Sequence, residues 1–194
     1  MRGNGDDFFR SISSILGPGE PIERLPSETA AVAVIFREAK AGEELLLIRR
    51  SDREGDPWSG QVALPGGRVE RGDASFMETA IREAREEVGV SLDIDSSFVG
   101  YMGSFRARTR GILVVPAVFA SRSELPVSAN REVASYRWVR FGEIFNPENR
   151  SVHLLRVGEV VKEFPAFEIG DYLIWGLTER ILTSLGDAAG RETG

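Results

Sequence analysis

The sequence predicts an α/β domain built as a mixed β-sheet between helices, and three observations carry that prediction. Short apolar runs recur at 29–37, which is rich in β-branched and small apolar residues, and at 44–50, 62–64, 98–105 and 112–120, with an alternating run at 134–141, the patterns of buried and half-buried strands. Two stretches with a helical apolar period, 75–88 and 172–185, interrupt and follow them. Strands alternating with helices settle as a sheet covered by helical layers. The 194 residues, 42% hydrophobic and 28% charged, suit one domain with an ordinary core.

Residues 6–16 set Phe8, Phe9, Ile12, Ile15 and Leu16 at helical spacing before Gly17-Pro18-Gly19. They predict a short amphipathic helix, packed on the domain or against a second copy of the chain in a homodimer. Pro18, Pro21 and Pro26 hold the next stretch extended. Segment 1–28 is therefore expected as a helix and an extended arm laid on a domain spanning 29–186. Strands 29–37 and 44–50 form a hairpin through 39–43. A turn-rich loop, 51–61, carries Trp58 and leads to strand 62–64. Pro65-Gly66-Gly67 follows, where two glycines free the backbone for a sharp turn or a close approach to a ligand.

The helix over 75–88 is the most informative element. Ser75 and Glu78 make a capping-box pair, with Asp73 an alternative cap, and Gly89 stands where a helix ends. At about 100° per residue, Glu83, Glu86 and Glu87 share an arc of roughly 100°, and Met77, Ala80, Ile81, Ala84 and Val88 fill the neighbouring arc. Like charges at that spacing repel by about a few tenths of a kcal/mol per pair. Arg82 offsets part of this, and a hard divalent cation matches clustered carboxylate oxygens better. The plain alternative is a solvated acidic face.

Beyond the helix, Arg106, Arg108 and Arg110 alternate between strands 98–105 and 112–120. With Arg50 they are candidates to hold phosphate, whose oxygens match the guanidinium fork; the alternative is a solvated hairpin tip. Pro116 suggests an edge strand or a bulge. Glu132 precedes strand 134–141, and 142–145 reads as a helical turn. The single His153 lies in a strand or loop and has no second His or Cys to join it, so a structural role is expected. The closing helix, 172–185, presents Ile174, Leu177, Ile181, Leu182 and Leu185. Residues 187–194 are small and polar, as in a flexible tail.

Composition excludes several classes. A net charge of -6 works against long polyanions, so no nucleic acid is expected as a partner, whereas a small phosphate ester is allowed. With no Cys, disulfides, thiolate nucleophiles and Cys/His zinc sites are out. No apolar run approaches the roughly 20 residues that span a bilayer. No membrane partner and a cytoplasmic location are expected.

Gly67, Arg82, Glu83, Ala84, Glu86, Glu87, Gly89 and Val90 resemble the Nudix box, which runs Gly, five residues, Glu, seven residues, then Arg-Glu-aliphatic-x-Glu-Glu-x-Gly-aliphatic. The chain departs from it in having Asp73 five residues after Gly67, with eight residues separating it from Arg82. Leu46-Leu47-x-x-Arg50-Ser51 and Gly60-Gln61-Val62-Ala63-Leu64-Pro65-Gly66-Gly67 are similar to the upstream signature of the coenzyme A pyrophosphatase branch. That branch also places an Asp in the longer register of Asp73. The spacer Gly55-Asp56-Pro57-Trp58 departs from the branch, and Ile174-Trp175-Gly176-Leu177-Thr178 resembles its end.

The resemblance implies a Nudix fold, an α/β/α sandwich around a mixed sheet with the box as strand, loop and helix. Splitting a diphosphate requires neutralised oxygens and a positioned water, which Mg²⁺ (or Mn²⁺) serves. Glu83 and Glu87, one turn apart, are the first candidate ligands and Glu86 the third, with the Gly66 carbonyl added by family analogy. Arg82 is expected to orient the carboxylates. The general base stays open between a box carboxylate and Glu132, which resembles the downstream Glu of many Nudix enzymes. The implied substrate is a nucleoside diphosphate derivative, foremost coenzyme A or an acyl-CoA. ADP-ribose or a similar compound is the alternative, and a non-catalytic nucleotide-binding module is the alternative of another class.

Overall fold

The computed structural model describes residues 4–18, 28–55, 58–107 and 111–190. Its centre is β1 (Thr29–Ala39), an eleven-residue strand whose alternate side chains enter two different cores. Ala31, Ala33 and Ile35 face one way, while Val34 and Phe36 face the other, the period-2 alternation of a strand covered on both faces. β1 pairs antiparallel with β2 (Gly42–Arg50) as the expected hairpin and with β4 (Gly66–Arg68). It pairs parallel with β7 (Leu113–Ser121), and this makes the sheet mixed. β3 (Val62–Ala63) and β8 (Val133–Arg140) flank β2, and β5 (Ser97–Tyr101) and β6 (Phe105–Arg106) flank β7.

One face is covered by α2 (Phe76–Val88), through Phe76, Ala80, Ala84 and Val88 against Ala31, Ala33 and Ala117. The alanines on both sides let the helix lie close to the sheet. A short α3 (Leu92–Asp95) follows it. The other face is covered by α1 (Asn4–Ile12), α4 (Phe141–Ile144) and α5 (Gly176–Ala188). Phe8 meets the rings of Phe36 and Phe141 edge-on at 5.0 and 5.1 Å, a favoured aromatic geometry, so α1 packs on its own domain. Gly17 then exchanges two backbone hydrogen bonds with Tyr101. The extended arm expected over 19–27 lies outside the described residues.

Away from the acid-faced helix and the strand before it, the structure departs from the sequence-based expectation in three places. Residues 98–105 form two strands, β5 and β6, separated by an interruption at 102–104. Pro116 stands in an interior strand, at neither an edge nor a bulge. Its carbonyl accepts from Met102 N at 2.9 Å, and the donor it lacks would face that same side, where the neighbouring strand is broken. The helix expected at 172 begins at Gly176, because 172–175 is β11 (Tyr172–Trp175). Gly176 has φ 71°, a left-handed conformation that glycine adopts without penalty, and there strand turns into helix. α5 then runs through Gly186 to Ala188, and 191–194 lie outside the described residues.

β11 belongs to a second, antiparallel sheet with β10 (Val160–Ile169) and β9 (Arg150–Val157). Its inner end contributes Phe167, Ile169, Tyr172 and Ile174 to the core, and His153 stacks on Trp175 at 4.1 Å. Arg49 and Arg137 fasten it to the main sheet. Both guanidinium groups lie over the Tyr172 ring and both pair with Asp171. Among the described residues no helix is long and apolar enough to cross a membrane.

Phe36→Ala removes the ring on which Phe8, Phe9 and Phe141 converge. Urea melts are expected to show a loss of about 3–5 kcal/mol, the range for emptying a buried Phe site.

Candidate active site

The acid-faced helix is fixed at both ends. Ser75 Oγ accepts from Glu78 N at 3.1 Å, and Glu78 in turn accepts from Ala74 N. Gly89 closes the helix at φ 68°. Asp73 is therefore not the cap. Its carboxylate accepts from Arg82 Nε and Nη2 (3.2 and 3.1 Å), Thr79 Oγ1 (2.8 Å) and Glu70 N (2.9 Å). Burial alone would raise the pKa of Asp73; the Arg82, Glu70 and Thr79 donors outweigh it and hold the group below the usual range. Arg82 also donates to the Arg68 carbonyl and, at 2.8 Å, to Glu83 Oε1. The displaced acid thus anchors the arginine that holds Glu83.

Gly66 and Gly67 are not a tight turn. They lie in β4, and neither has positive φ. Close approach requires glycine at Gly66, where a Cβ would strike the Ala31 carbonyl; at Gly67 a Cβ would push the Glu83 carboxylate from its place. The ladder pairs Ala31 with Gly67 and Val32 with Gly66. Ala33 N binds the Pro65 carbonyl and Val69 N the Thr29 carbonyl, which leaves the N–H and C=O of Gly66 directed away from β1. That N–H donates to Glu87 Oε2 at 2.9 Å.

Glu87 is 4% exposed. Burial pushes its pKa up to about 7, against the pull of the Gly66 amide and Arg50 and with added repulsion from Glu83 and Glu132. Arg50 Nη1 lies 3.8 Å from Glu87 Oε1. Burial also raises Glu83, with Arg82 opposing and Glu86 and Glu70 adding to the rise. The Glu86 side chain is 59% exposed, 3.6 Å from Arg82 Nη1.

Glu132 reaches this cluster because the chain ahead of it caps α2. Ser128 N and Asn130 N bind the carbonyls of Val88 and Glu87 at 2.8 and 2.9 Å, and Ser51 N binds the Glu132 carbonyl. Asn130 Oδ1 accepts from Glu132 N at 2.7 Å. Of the predicted phosphate ligands, Arg50 lies at the cluster. Arg106 donates to the Gly111 carbonyl across its own loop, and Arg108 and Arg110 lie outside the described residues. Sequence reasoning missed Arg53, which pairs with Glu132 at 3.2 Å, and Arg131. Both line a cavity with Arg50, Ser51, Asp52 and Glu132. No motif signals them, because two distant segments supply them.

Carboxylates and one outward carbonyl, with no sulfur or imidazole, form a donor set suited to a hard divalent cation. Among the described residues no three acidic or imidazole side chains stand in a ready-made ligand geometry. Glu83 is held by Arg82 and Glu87 by the Gly66 amide. The repulsion and desolvation that raise Glu83 and Glu87 are the terms a cation would offset, so the residues fit one.

A pH dependence follows for the metal-free protein. Glu87 moves from 4.5 to about 7 on folding, so its contribution is full below about 4.5 and is lost as pH rises through about 7. Urea melts in chelator between pH 5 and 8 are expected to show a decline of up to about 3 kcal/mol, flattened by Glu87→Gln. Asp73, shifted the other way, matters only in stronger acid.

Residues 27–156 match the NUDIX domain family. The chain is 32% identical over 182 residues to the uncharacterized Nudix hydrolase NudL of Citrobacter koseri, covering 92% of each. Over 168 residues it is 31% identical to Nudix hydrolase 22, chloroplastic, of Arabidopsis thaliana, covering 84% of this chain and 55% of that one. It thus spans about half of the plant relative. A peroxisomal coenzyme A diphosphatase, ndx-8 of Caenorhabditis elegans, is 29% identical over 137 residues, 70% of this chain and 58% of that one. A MutT/nudix family protein from Enterococcus faecalis shares the fold at TM-score 0.53 and 22% identity, over 87% of this chain and 64% of that one. The family match spans β1, β4, α2 and the turn that carries Glu132, the elements that build the carboxylate cluster, and the chain belongs to the Nudix hydrolase family.

Proposed function

We propose that this Nudix hydrolase, from a family of pyrophosphatases acting on small nucleotide-derived substrates, cleaves the diphosphate of coenzyme A or an acyl-CoA to 3′,5′-ADP and phosphopantetheine. The observation that carries the reading is the buried Glu87 carboxylate, one helical turn from Glu83 and 3.8 Å from Arg50. Arg50 lies in the segment that resembles the coenzyme A branch, and the similarity to the worm diphosphatase supports the same substrate.

Glu83, Glu87 and Glu86, with the Gly66 carbonyl, are the residues that would hold Mg²⁺ or Mn²⁺. When bound, the cation supplies charge neutralisation for the diphosphate oxygens. The chain's own groups do the rest. Arg82, clamped by Asp73, orients Glu83 without touching substrate. Water attacks one phosphorus in line, the P–O bond to the bridging oxygen breaks, and the other phosphate departs with its electron pair. The water's proton passes to a carboxylate facing the solvent side, Glu86 or Glu132.

A second reading, hydrolysis of ADP-ribose or a similar diphosphate, is favoured by one feature. The loop after β2 carries Gly55-Asp56-Pro57-Trp58 where the coenzyme A branch is more basic. Mass identification of products from both compounds separates the two, since turnover of ADP-ribose alone moves the substrate.

Glu87→Gln is expected to lower the Mg²⁺-dependent rate by on the order of a hundredfold or more, with an unchanged far-UV circular dichroism spectrum. A wild-type rate in that variant would remove the metal assignment.

A further inference from the structure

The cavity beside Glu87 is built by two segments tied to each other. Its lining is Arg50, Ser51, Asp52, Arg53, Arg131 and Glu132, and its volume is about 350 Å³. The pairing of β2 with β8 slips between Arg49 and Arg50, a bulge of the kind that re-aims side chains at sheet ends. Ser59 closes the loop after β2: its hydroxyl accepts from Arg53 N and donates to the Arg53 carbonyl at 3.0 and 2.8 Å. Across the cavity, the turn carrying Arg131 and Glu132 is fixed to the end of α2 through Asn130 N and to the opposite wall through Ser51 N.

The described lining holds three guanidinium groups and two carboxylates, an excess of positive charge in a chain whose net charge is -6. Arg50 adjoins both this cavity and Glu87. Arg53 lies against Glu132 at 3.2 Å, and the Arg53 side chain is 59% exposed. A dianionic phosphate entering the cavity finds Arg53 on one wall and Arg131 on the other, residues whose guanidinium groups suit bidentate recognition of phosphate.

We propose that this cavity is a second anion subsite, taking a phosphomonoester that the substrate bears apart from the diphosphate being cut, and that Arg53 and Arg131 select for it. The inference deepens the reading under Proposed function and rests on it for the position of the diphosphate. It moves recognition of the extra phosphate away from Arg106, Arg108 and Arg110, where the sequence pattern suggested it.

The test compares ligands that differ only in that phosphate. Titration calorimetry of the whole chain with Mg²⁺ would measure adenosine 3′,5′-bisphosphate against adenosine 5′-monophosphate. The wild type is expected to prefer the bisphosphate by about tenfold or more, the scale of one charged hydrogen bond. In the Arg53→Ala/Arg131→Ala double variant the preference should fall below about threefold. Both side chains are exposed, so the variant is expected to keep the fold. The ratio of kcat/KM for coenzyme A over dephospho-coenzyme A should fall in parallel, through KM.

Absence of any preference in the wild type overturns the inference. So does equal weakening of both ligands, which would mean that the cavity grips the shared 5′-phosphate. If the preference depends on the two arginines while neither coenzyme is cut, the subsite stands and the proposed hydrolysis fails. If coenzyme A is cut with a preference indifferent to both arginines, the hydrolysis stands and the subsite fails.

Discussion

The arrangement depends on how Arg82 distributes its donors. Nε and one terminal nitrogen bind the two oxygens of Asp73, that same nitrogen reaches the Arg68 carbonyl, and the other binds Glu83. A planar, permanently charged fork can serve all of these at once; an ammonium could not. Through this one side chain the loop between β4 and α2 is fixed to the helix, and Glu83 is held against Gly67. Neighbouring charges bring Arg82 close to Asp73, Glu70, Glu83 and Glu86, so it also relieves the repulsion that the acidic face would otherwise suffer.

Opposed to that clamp is the desolvation of Glu87. The residue sits at the end of a helix whose other buried positions are mostly apolar, and among the described residues its carboxylate has one amide donor and one distant guanidinium. A buried acid so sparsely compensated favours its neutral form. Such a position makes sense where the negative charge is needed for binding rather than for folding, and perturbed groups in a cleft commonly mark function for this reason.

Much of this was legible in the sequence because α2 obeys its period. The apolar residues Ala80, Ala84 and Val88 and the acids Glu83, Glu86 and Glu87 fall on separate arcs, and the caps are local. β1 and β2 were legible for the same reason, being buried on both faces. The β9–β10 pair was not. Val152, Leu154, Val160 and Val161 are all more than half exposed, so no core-facing alternation marks the strands, and β11 was absorbed into the helix that follows it. The role of Gly66 and Gly67 was half legible: glycine was expected for conformational freedom, whereas the structure needs it for lack of volume. Arg53 and Arg131 were illegible because their proximity is created by the capping of α2, a tertiary event that no spacing encodes.

The joints around the site are made largely by the main chain. Ser128 and Asn130 meet the end of α2 through their amides, and Ser51 meets Glu132 the same way. Peptide groups are common to nearly every amino acid, so the side chains displayed on these loops can be exchanged without disturbing the spacing between carboxylates and cavity. A scaffold of this kind separates inheritance of the chemistry from drift in what is recognised, and selection can retune the ligand range of the family one loop residue at a time.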